Sequence, residues 1–110
     1  MGRYITTTGT AGVTTRNVSA NYSAAVNDRL LVDTAGGAYT VTLPANASLL
    51  VDDTIQIIDI ANNAATNNIT VARNGSEINN AADDLTIDVS GAIVTLIYSG
   101  STYGWIVGAV

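Results

Sequence analysis

The stretch "LLVDTAGGAYTVTLPA", residues 30–45, decides the fold. With Arg29 before it, "RLLVD" sets Leu30 and Val32 on one face and Arg29, Leu31 and Asp33 on the other, the period of two that marks a half-buried strand. "TAGG" then predicts a tight hairpin, with Gly36 and Gly37 supplying positive φ. "AYTVTL" resumes the alternation, Tyr39, Val41 and Leu43 against Ala38, Thr40 and Thr42, until Pro44, which has no N–H to donate, ends the ladder. Asp33 and the threonines are framework here: the strand end and the outward half of a strand.

The same grammar continues in both directions. "TIQIIDI" (54–60) reads as a strand with Ile55 and Ile57 inward, or Ile58 and Ile60 if both faces are covered. "ANNAATNN" (61–68) is a polar loop. "ITVAR" (69–73) runs into Asn74-Gly75, the strongest short hairpin signal, with "SEIN" returning from it. "LTIDV", "AIVTLIY" and "GWIVGAV" finish the chain, and "ANASLLVDD" holds at most one helical turn. Eight or nine short strands bounded by Gly, Asn, Asp and Pro predict an all-β protein. The expected architecture is an antiparallel β-sandwich, jelly-roll-like, over residues 25–110. Leu30-Leu-Val-Asp33 to Leu43 is echoed by Leu85-Thr-Ile-Asp88 to Leu96, read as two similar hairpins rather than a solenoid repeat. With no Phe, the core must be Ile, Val and Leu, anchored by Trp105.

Residues 1–24 differ, being rich in Thr, Ser, Ala and Gly with scattered apolar anchors. Fully extended at about 3.3 Å per residue they span roughly 80 Å, against a radius of gyration of about 13 Å for a domain of about 100 residues. The expectation is an extended N-terminal arm that docks on a partner by strand addition through Arg3, Tyr4, Ile5, Val13 and Val18.

Composition excludes several functions. The 110 residues suit one domain, with net charge −5. Its four cations, all Arg, are spread along the chain, which disfavours nucleic acid. There is no His and no Cys, so no Ser-His-Asp or Cys-His nucleophile can be built and thiolate metal sites are excluded. No apolar run approaches the roughly 20 residues of a membrane-spanning helix, and "MGRYITTTGT" lacks the apolar middle of a signal peptide. The paired acids Asp52-Asp53 and Asp83-Asp84 lack Ca²⁺-loop spacing and read as turn residues. Tyr98, Tyr103 and Trp105 resemble either a hairpin core or a sugar platform, the core being favoured. No enzyme, cofactor or metal is expected. A surface so poor in charge has little to desolvate on assembly.

"DRLLVDTAGGAYTVTLPA", "DDTIQIIDIANNAATNNITVARNGSEI" and "VTLIYSGSTYGWIV" together resemble a β module of tailed-phage (cyanophage-like) virion proteins, found in small head-decoration proteins and tail-fibre segments. The resemblance covers about residues 28–107 and carries no chemical residues. It implies a homotrimer exposed on the virion, without catalysis. The expected function is a capsid decoration (cement) protein binding the major capsid protein on the outer head. The alternative is a tail-fibre or baseplate adhesin that touches host surface glycans through loops 61–68 and 99–104.

Overall fold

The computed structural model describes residues 12–109. Nine strands form in chain order: β1 Thr14–Val18, β2 Tyr22–Ser23, β3 Asp28–Val32, β4 Tyr39–Thr42, β5 Thr54–Asp59, β6 Ile69–Ala72, β7 Leu85–Ile87, β8 Ile93–Tyr98 and β9 Trp105–Ala109. A single 3₁₀ turn, Asn46–Ser48, is the helical turn expected before β5. The strands make a five-stranded sheet A, ordered β1-β3-β5-β8-β9, and a four-stranded sheet B, ordered β2-β4-β6-β7.

The all-β expectation holds, but the sheets are mixed rather than antiparallel. β1–β3, β3–β5, β2–β4 and β4–β6 pair in parallel. Only β5–β8, β6–β7 and β8–β9 are antiparallel. The reason is the path of the chain: β1, β3 and β5 lie in sheet A, and each is followed by a strand of sheet B. Every second strand is thus the crossover that a parallel pair requires. The backbone winds like a short solenoid although its letters do not repeat. The turns differ in length, since Leu30 pairs with Ile57 while Tyr39 pairs with Ile69.

"TAGG" is therefore a corner between sheets and not a hairpin. The favoured two-residue hairpin turns need positive φ at the first central position, and type I′ at the second as well. Here Gly37 N donates to the Thr34 carbonyl at 3.2 Å, so the central residues are Ala35 and Gly36. Neither Ala35 nor Gly36 has positive φ, and Gly37, at 157°, takes it one position too late for a hairpin turn. The corner is also held from the side: the Thr34 carbonyl that closes the turn accepts from Asn63 Nδ2 at 3.2 Å and Asn67 Nδ2 at 2.8 Å. The echo at 85–96 is the same device in reverse, taking the chain from β7 in sheet B to β8 in sheet A. Asn74 and Gly75 do turn, at φ 50° and 96°, but "SEIN" forms no strand there. Ile78 makes only isolated bridges, to Ala81 and Trp105, before β7 returns beside β6.

The core lies between the sheets. Leu30, Val32, Ile55, Ile57 and Leu96 of sheet A meet Val41, Leu43, Ile69 and Val71, with Trp105 fully buried among them. Each buried aliphatic side chain contributes roughly 1.5–3 kcal/mol. The inward faces are those read from the alternation, and Ile60 is exposed. Asn and Asp take the left-handed positions that turns require: Asn27 at 69°, Asp52 at 80°, Asn62 at 57°. That use accounts for part of the Asn-rich composition.

Residues 14–23, expected in the arm, are edge strands of both sheets. The body thus begins at β1, not at residue 25.

Candidate interaction surfaces

Of the expected docking residues, Arg3, Tyr4 and Ile5 lie outside the described residues. Val18 is not a docking residue: it pairs with Val32 and is 4% exposed, a core side chain. Its register beside Val32 sets it in the core, whereas Thr14, Thr15, Arg16 and Asn17 of β1 are exposed. The exposed Arg16 pairs with the buried Asp28, its Nε donating to Asp28 Oδ1 at 3.0 Å. That hydrogen bond, aided by the charge of Tyr22 and Asp28, raises the Arg16 pKa above its ordinary value.

Val13 remains available, 56% exposed just before β1. It belongs to a larger feature that sequence reading missed. β1, β3 and β5 start, β8 ends and β9 starts at one end of sheet A. There the turn 50–53 displays Leu50 and Val51, 73% and 63% exposed, and the 99–104 hairpin displays Tyr103. The turn is rigidly made: Asp53 Oδ2 accepts from the Leu50 amide at 2.8 Å and Asp53 N donates to the Leu50 carbonyl at 3.0 Å. Turn 25–28 repeats it, with Asp28 Oδ2 accepting from the Ala25 amide at 2.8 Å. The signal was present in "AVND" and "LVDD", whose apolar residues fall at turn positions rather than in strands.

The acids serve the framework. Asp84 Oδ1 accepts from the Arg73 amide at 3.0 Å. Asp59, buried at the end of β5, accepts from the amides of Asn63, Ala64 and Gly91, each at 2.9 Å. Among the described residues no group of three or more His, Cys, Asp or Glu gathers as a metal site would, and no helix is long and apolar enough to cross a membrane.

The aromatic cluster divides. Tyr98 and Trp105 pack edge to face, centroids 5.3 Å apart, inside the core. Tyr103 alone faces solvent. Trp105 is therefore withheld from any glycan.

A second surface lies at the far side. An apolar groove of about 330 Å³ is lined by Leu85, Ile87, Ala92, Val94 and Val107, with Asp88 at its margin. It follows β7, the edge of sheet B, beneath β9, the edge of sheet A.

No protein-family model matches this chain, and a search of curated proteins finds no match either. Fold and surfaces define a two-sheet β protein with exposed apolar side chains at one end of sheet A and an apolar groove beside β7.

Proposed function

We propose that this chain is a non-enzymatic structural protein of a tailed-phage virion, a decoration protein that binds the major capsid protein on the outer head surface. The observation that carries the reading is the set of exposed apolar side chains at one end of sheet A: Val13 just before β1, Leu50 and Val51 on the turn fixed by Asp53, and Tyr103 in the 99–104 hairpin. Clustered exposed apolar residues mark interaction sites in soluble proteins. The resemblance to virion modules supplies the partner class, the virion location and the homotrimer.

In this reading that end of sheet A grips the shell, and the low charge of the surface keeps the desolvation cost of the contact small. The test is co-sedimentation with purified heads of the phage that encodes the chain. The full chain binds, and the double variant Leu50→Asp, Val51→Asp does not, with an unchanged circular dichroism spectrum. A chain that neither occurs on the particle nor binds its heads overturns the proposal. The adhesin reading is the other outcome: binding to a glycan array, lost on Tyr103→Ala, without head binding. Trp105→Ala has no place in that test, since it would damage the core.

A further inference from the structure

The two sheets do not match in width. β1, β3 and β5 each hand over to β2, β4 and β6, and β7 hands over to β8, so the four strands of sheet B are covered by four of sheet A. β9 overhangs. The start of β9 is closed by loop 77–79, where Trp105 N donates to the Glu77 carbonyl and Asn79 N to the Trp105 carbonyl, both at 2.8 Å. Further along, Val107 looks onto the groove beside β7, and among the described residues no strand pairs with the outer edge of β7. The groove has the position and the apolar lining of a missing fifth strand of sheet B.

We infer that residues 3–8 of a second copy of this chain fill that position by strand addition. "RYITTT" is made of the residue types that favour strands, and its only charge is Arg3. β7 is flanked by Asp83, Asp84 and Asp88, a complementary acidic frame around an apolar seat. Period two places Ile5 between Arg3 and Thr7 on one face, so Ile5 enters the groove between Leu85 and Val107 while Arg3 meets Asp88 at its margin. Main-chain pairing supplies affinity and the side-chain seat supplies register.

Chain length selects a second copy over the same molecule. From β1 to β9 are four strand spacings, about 19 Å, and a path over the outer face and down between the sheets approaches 30 Å. From Thr8 to Thr14 the extended backbone reaches only about 20 Å. Because the donor and acceptor surfaces differ, the contact is heterologous and closes a ring or runs on as a filament.

The test is the mass of the intact protein by light scattering across a concentration series, and it is independent of head binding. The full chain is oligomeric, and deletion of residues 1–8 yields a folded monomer. Arg3→Asp and Asp88→Arg, a change at an exposed position, each weaken association about tenfold, and the two together restore it. Ile5→Asp abolishes it. A full chain that is monomeric throughout, or an oligomer that survives the deletion, overturns the inference. So does a monomer whose β7 amides lose hydrogen-exchange protection on deletion, which would seat the segment on its own body.

Discussion

The Asp59 carboxylate accepts a hydrogen bond from the Gly91 amide at 2.9 Å, joining the end of β5 to the turn that leads into β8. The same oxygen holds Asn63 and Ala64 at the start of loop 61–68. One buried side chain thus fixes the corner of sheet A where the parallel winding gives way to antiparallel closure. Asp59→Ala leaves three amides unpaired and is expected to cost about 3–5 kcal/mol. Asp59→Asn keeps an acceptor oxygen and costs less. Urea unfolding that shows equal midpoints for the two variants would contradict this role.

Trp105 is the chain's only tryptophan and is fully buried. Trp105→Ala should cost about 3–5 kcal/mol, whereas the exposed Tyr103→Ala should change stability by no more than about 0.5 kcal/mol. Native fluorescence should be blue-shifted and move red in one transition on unfolding, a direct check on the burial.

Gly104, at φ 71°, opens β9 against the backbone of Glu77. A Cβ there would lie 2.8 Å from both the Glu77 nitrogen and its carbonyl carbon, so backbone must shift. Gly104→Ala is expected to cost about 2–4 kcal/mol through strain and overpacking. Asn27→Gly, at a left-handed turn position, should be near neutral while Asn27→Val is destabilised by about 1–2 kcal/mol. Thermal denaturation of the three variants ranks them.

Truncation separates the N-terminal segment from the body. Removing residues 1–12 stops short of β1, so the body keeps its fold and loses only the concentration-dependent stabilisation that association through residues 3–8 supplies. Removing residues 1–20 deletes β1, the Arg16–Asp28 ion pair and the Val18 core contact, and exposes the edge of β3. That second truncation should unfold at lower temperature and aggregate through the bared edge. Equal melting curves would show that β1 adds nothing to the body.

Much of this protein was legible without its coordinates. Leu30, Val32, Val41, Ile55 and Ile57 were assigned to the inward faces by alternation alone, and burial agrees at each. The strands β3 to β6, β8 and β9 and the short helical turn at Asn46–Ser48 agree too, whereas β1 and β2 fall in the segment read as an arm and "SEIN" forms no strand. The surfaces were less legible. Leu50 and Val51 are ordinary apolar letters until the turn that carries them is seen, and the groove beneath Val107 is lined by residues of β7, β8 and β9 brought together from both sheets.

From Asp28 onward the letters by themselves determined most of where strands run and stop and which side chains point inward, because these depend on backbone period and on turn chemistry within a few residues. Which strands lie side by side was decided by the tertiary structure. Asp33 through Ala38 is compatible with folding back beside β3 or crossing to the other sheet, and the crossing is secured by Asn63 and Asn67, roughly thirty residues further on. Direction and sheet membership are properties of partners distant in sequence, and local propensity has no information about them.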